Sequence, residues 1–262
     1  MPIHLPQGLR RMDDDEFKQV AYEVMQVVFG VHNEMGCLFD ERIYQHAIMQ
    51  RIGGSRIEVP LEASFESFSK KYYLDLLAGD GAIFELKAAA SFVDRHRAQL
   101  LNYLLMAELP HGKLVNFRGD VVEHEFVNAT LTYKDRIAFQ VDDKNYVEIE
   151  SNGRRIKDLL VAILRDWGTC LDIALYQEAL IHFLGGQEQV MQPVGISVGG
   201  VRVGQQSLGL ISPAASVCIS ALNDGQDRYE TQLRRFLKHT TLNAVQWVNI
   251  ARRLVTFKTI RA

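Results

Sequence analysis

The chain lacks the features that define several large protein classes. It has no run of about 18 apolar residues, the length a membrane-crossing helix needs, so an integral membrane protein is not expected. Cysteine is scarce. Cys37, Cys170 and Cys218 are far apart, odd in number and without metal-knuckle spacing, which fits small buried hydrophobes in a reducing cytoplasm. The opening MPIHLPQGLRRMDDDEF is charged and has no apolar core of a signal peptide. A net charge of −3 over 262 residues is too small for a protein that coats nucleic acid by charge alone.

What is present is ordinary globular material, 47% hydrophobic and 23% charged, with room for two domains. The small net charge hides an asymmetry. Residues 1–150 carry 16 basic against 24 acidic side chains, and residues 151–262 carry 13 against 8. Two halves of opposite sign either attract each other or face different partners.

The halves also echo one another. Gly36 to Gly54, GCLFDERIYQHAIMQRIGG, aligns without a gap with Gly168 to Gly186, GTCLDIALYQEALIHFLGG. Gly36/Gly168, Asp40/Asp172, Tyr44/Tyr176, Gln45/Gln177 and Ala47/Ala179 are shared, as is the closing glycine pair. Each copy follows a helix-patterned segment and precedes strand-like runs, a further helix with Gln99/Gln232 and Tyr103/Phe236, and closing strands with Val115-Asn116/Val248-Asn249. A match through successive elements at a domain-sized offset predicts a tandem of two α/β domains, each a small mixed sheet flanked by helices. The expected division is 1–131, a linker with extra strands over 132–153, and 154–262.

Chemistry concentrates in YYLDLLAGDGAIFELKAA of the first half. Gly79-Asp80-Gly81 is a strong hairpin turn, because glycine accepts the positive φ such turns need. That loop pairs Ala78 with Ala82 and sets Asp75 opposite Glu85. Strand alternation then puts Glu85 and Lys87 on one face, with Phe84 and Leu86 on the other. Two carboxylates on a half-buried sheet repel unless a cation lies between them, and oxygen ligands of this kind suit Mg²⁺ or Mn²⁺. An isolated pattern of this sort is more often a surface ion pair, so its context matters.

In order along the chain stand VHNEMG, Glu41-x-x-Tyr44, Asp75, Glu85-Leu86-Lys87 and AQLLNYL. This series resembles the GxxExxY family of the PD-(D/E)XK nuclease-like superfamily, with Leu38 where that family has glycine. Gln99-x-x-x-Tyr103 resembles the helix motif of RecB-type exonucleases. The resemblance implies two restriction-endonuclease-like domains, with Asp75, Glu85 and Glu41 as ligands of Mg²⁺ or Mn²⁺. It implies Lys87 as the residue that orients or activates water, Gln99 and Tyr103 as site or nucleic-acid contacts, and His32 as a further ligand.

Within the second half the same alignment gives Leu164 for His32, Ile173 for Glu41, Gly209 for Asp75 and Cys218-Ile219-Ser220 for Glu85-Leu86-Lys87. Scaffold positions persist while every proposed ligand is lost, as in a degenerate pseudo-nuclease. The expected function is a cytoplasmic, metal-dependent nuclease acting on DNA in preference to RNA. Its second half would be an intramolecular partner, and further oligomerisation stays open. The alternative is a non-catalytic nucleic-acid- or protein-binding module that keeps the nuclease fold.

Overall fold

A computed structural model describes residues 3–261, the side chains of 150–153 excepted, so the outer bounds 1 and 262 lie outside the described residues. The chain divides into two compact units. The first runs to Ser64 and resumes over Ser69–Tyr133, and the second comprises Phe65–Phe68 and the chain from Lys134.

In chain order the first half holds β1 (Ile3–His4), α1 (Asp14–Met35), α2 (Glu41–Met49), β2 (Arg56–Phe65), β3 (Phe68–Ala78) and β4 (Ala82–Lys87). It closes with α3 (Asp94–Ala107), β5 (His111–Asn116) and β6 (Glu123–Asn128). The strands form one six-stranded sheet in sequence order. β3 and β4 are antiparallel, β4 and β5 are parallel with α3 as the crossover, and β6 is antiparallel to β5. The hairpin register is as expected, with Ala78 opposite Ala82 and Leu76 opposite Phe84. Gly79 and Asp80 both take positive φ, +56° and +62°, which bends the chain tightly enough for that pairing. The apolar stripe of α1, including Phe17, Ala21, Val24 and Val28, packs with Leu76, Phe84, Leu86 and Val115. Burying Phe84 and Leu86 there fixes which face of β4 is left for Glu85 and Lys87.

The second half holds α4 (Tyr133–Ile137), β7 (Gln140–Asn145), α5 (Glu150–Trp167), α6 (Ile173–Phe183), α7 (Gln187–Val190) and β8 (Met191–Val198). It continues with β9 (Val201–Ser212), β10 (Ala215–Ser220), α8 (Gln226–Leu237), β11 (Ala244–Ile250) and β12 (Leu254–Arg261). Its sheet has the order β7-β12-β11-β10-β9-β8. β9/β10 are antiparallel, β10/β11 parallel and β11/β12 antiparallel, the same senses as β3/β4, β4/β5 and β5/β6. The structure thus has the expected mixed α/β architecture, one sheet with flanking helices in each half.

Two local devices occur in both halves. The Tyr44 hydroxyl donates to Gly36 O at 2.7 Å and accepts from Phe39 N at 3.2 Å; Tyr176 does the same with Gly168 O and Leu171 N at the same distances. Both glycines end a helix with positive φ, 73° and 80°. Asn116 accepts from Ala89 N at 3.1 Å and donates to Ala89 O at 2.8 Å, while Asn249 clasps Leu222 N and O at 2.7 and 2.9 Å. Each asparagine therefore ties the loop after the central strand to the neighbouring parallel strand.

One local expectation differs. Residues 132–153 contribute the strand β7, but Tyr133–Ile137 is a helical turn instead of a strand. The cause is tertiary: the buried Arg136 guanidinium donates to the Trp167 carbonyl at 2.8 Å, capping the end of α5.

Candidate active site

Four of the residues singled out by the sequence converge in the first unit. The Lys87 ammonium lies 2.6 Å from Glu85 Oε1, 3.4 Å from Asp75 Oδ2 and 3.7 Å from Glu41 Oε2. It also donates to Leu86 O at 2.8 Å. Three elements supply the cluster. β3 carries Asp75, β4 carries Glu85 and Lys87 two residues apart, and Glu41 is the first residue of α2. Asp75 is held at both oxygens, accepting Leu86 N at 2.8 Å and Gln45 Nε2 at 3.2 Å.

Burial sets the electrostatics. Glu85 is 0% exposed; burial first, then the Asp75 charge, push its carboxyl up to about 8 against the opposing pull of Lys87. Asp75 is raised by burial, against the opposing pull of Lys87 and the Leu86 amide. Glu41 is raised by burial and by Asp75. Burial alone would lower Lys87, but the charges of Glu85 and Asp75 outweigh it and raise the ammonium. Lys87 therefore stays protonated while its carboxylate neighbours resist ionising.

These residues suit a hard divalent cation in donor chemistry. Three carboxyl groups face a single ammonium, and Glu85 Oε2 is buried without a hydrogen-bond partner. As the side chains stand, Lys87 draws the carboxylates together, and among the described residues no three acidic, histidine or cysteine side chains are gathered as a ligand set. His32 lies outside the charge cluster: its ring contacts Phe117, and Nε2 lies 2.9 Å from Gly119 O. Gln99 donates to the Tyr103 hydroxyl at 3.0 Å. Tyr103 is 5% exposed, and its hydroxyl is pushed up to about 12 by burial and by the nearby charges of Glu85 and Asp75.

Sequence reading assigned no role to Gln45 or Asn116. The repetition of both in the second half, as Gln177 and Asn249, is the signal that marks them as placed residues.

The corresponding strands of the second unit hold different chemistry. Glu85 and Lys87 pair with Leu114 and Asn116, while Cys218 and Ser220 pair with Trp247 and Asn249. Cys218 and Ser220 therefore occupy the positions of Glu85 and Lys87. The Ser220 hydroxyl donates to Asn249 and accepts from Trp247 Nε1 at 2.9 Å. Strand register puts Leu208, not the Gly209 expected from sequence, at the position of Asp75: Ser216 pairs with Leu210 as Ile83 pairs with Leu77, a bulge between β9 and β10 shifting the match by one residue.

No curated protein matches the chain in sequence. The solved crystal structure of SSO0001 is similar at 16% identity and a TM-score of 0.29, covering 46% of this chain; the chain spans 61% of the length of that structure. Residues 18–142, which contain every member of the charge cluster, match the family model of the PD-(D/E)XK nuclease superfamily.

Proposed function

We propose that the first half is a metal-dependent nuclease that hydrolyses phosphodiester bonds, with DNA favoured over RNA, and that it works in the cytoplasm. One observation carries this reading: three carboxyl groups from three separate elements lie within 3.7 Å of the Lys87 ammonium. A folding role alone does not account for gathering so much like charge in a buried place.

Asp75, Glu85 and Glu41 would hold Mg²⁺ or Mn²⁺, with His32 the further ligand implied by the family resemblance. When bound, such a cation supplies Lewis acidity to a phosphoryl oxygen and acidifies water. The chain's own groups do the rest. Lys87 keeps its proton, orients the attacking water in line with phosphorus and neutralises charge growing on the phosphate. Gln99 and Tyr103, joined to each other one helical turn apart, steady the nucleotide backbone. Burial around Glu85 excludes bulk water and strengthens each of these contacts.

We read the second half as a degenerate copy of the first, made by internal duplication and retained as a structural or substrate-binding partner. The repeated tyrosine and asparagine clasps support common origin, and the loss of all four charged positions supports loss of catalysis. The test is cleavage of single- and double-stranded DNA and RNA with Mg²⁺ or Mn²⁺ by purified protein. Asp75→Ala and Lys87→Ala are expected to abolish it. Unchanged cleavage in either variant would refute the assignment, and nucleic-acid binding without cleavage in the wild type would favour a binding module.

A further inference from the structure

Gln45 and Gln177 occupy matching positions on α2 and α6, yet their amides do different things. Gln177 Nε2 donates to the backbone carbonyl of Ile219 at 3.4 Å. The matching carbonyl in the first unit, that of Leu86, is occupied by the Lys87 ammonium at 2.8 Å. Gln45 Nε2 turns instead to Asp75 Oδ1 at 3.2 Å. The second unit has Ser220 in place of the lysine and Leu208 in place of the carboxylate, so its glutamine takes the carbonyl.

Gln45 is 1% exposed, and its Oε1 is buried with no hydrogen-bond partner. A buried amide oxygen left unpaired costs free energy comparable to a lost hydrogen bond, so its retention beside a ligand carboxylate needs a reason. Gln45 sits one helical turn after Glu41 on the same helix face, beside the groups that would surround a cation.

We infer that Gln45 is a positioning residue: its amide N–H fixes the plane of Asp75 for cation binding, while its Oε1 accepts a hydrogen from a water admitted to the site. This inference rests on the metal-dependent reading above. With Leu86 N on the other oxygen, Asp75 is clamped at both ends before any cation arrives. Groups that orient a metal ligand in this way commonly set affinity by about 10- to 100-fold.

The test is Mn²⁺ titration by calorimetry on the full chain, beside its far-UV thermal melt. Gln45→Met keeps length and apolar volume but removes both ends of the amide. It is expected to bind Mn²⁺ at least about tenfold more weakly while melting as a folded protein. Gln177→Met removes the same group from the second unit and is expected to leave Mn²⁺ affinity unchanged. If Gln45→Met does not fold, Gln45→Asn, which shortens the amide's reach, is read by the same criterion. Mn²⁺ affinity unaltered in the folded Gln45 variant, or weakened equally by Gln177→Met, overturns the clamp. Binding lost in Asp75→Ala but kept in Gln45→Met defeats the clamp and spares the nuclease. A wild-type protein that neither binds Mn²⁺ nor cleaves defeats the nuclease reading itself, and the clamp with it.

Discussion

The two units solve the same folding problem and part company at four positions. Helix ends, tyrosine hook, strand senses and asparagine clasp recur at closely matching distances. Glu41, Asp75, Glu85 and Lys87 in one unit correspond to Ile173, Leu208, Cys218 and Ser220 in the other. The comparison shows what a buried charge cluster demands. In the second unit the place of Lys87 is taken by a hydroxyl satisfied by Trp247 and Asn249. In the first, the carboxylates hold their protons unusually well and one oxygen stays without a donor. A site so poorly satisfied at rest is consistent with selection for a ligand.

The difference is broken most sharply by paired substitutions. Lys87→Ala is expected to reduce cleavage at least about 10²–10³-fold, whereas Ser220→Ala leaves it unchanged; gel-based cleavage rates of the two variants decide this. Next in size is a pH effect confined to the first unit. Because the folded Glu85 holds its proton up to about 8 against an ordinary 4.5, the native state binds a proton that the unfolded chain has released. Stability of the metal-free protein should therefore fall as pH rises between those values, by up to about 1.4 kcal/mol per pH unit. Glu85→Gln flattens that slope in denaturant titrations at several pH values, and Cys218→Ser has no such influence. An unflattened slope would show that Glu85 does not carry it.

The shared devices should respond alike. Asn116→Ala and Asn249→Ala each leave a partly buried loop amide without its partner and are expected to cost about 1 kcal/mol. Tyr44→Phe and Tyr176→Phe each remove one hydroxyl bridge at a helix end, for about 1 kcal/mol. Chemical denaturation measures all four, and a large inequality within either pair would weaken the case for a common scaffold.

Local pattern made much of this visible in advance. The hairpin register followed from Gly79-Asp80-Gly81, and alternation then fixed which side chains share a face with Lys87. The convergence of Glu41 was carried by family resemblance, since helix position alone does not say what lies opposite. Gln45 escaped because its bond to Asp75 depends on Lys87 already occupying the Leu86 carbonyl, a relation among three elements that no spacing encodes. The helical turn at Tyr133–Ile137 escaped for a similar reason: Arg136 is held by the carbonyl of Trp167, thirty-one residues away.

That carbonyl belongs to one of only two tryptophans in the chain, Trp167 and Trp247. Both are buried in the second unit, and the first has none. Indole emission therefore reports on the charge-depleted unit alone, while far-UV ellipticity sums the helices and strands of both. Following the two signals through one denaturant series separates unfolding of the second unit from unfolding of the first, with no label and no truncation.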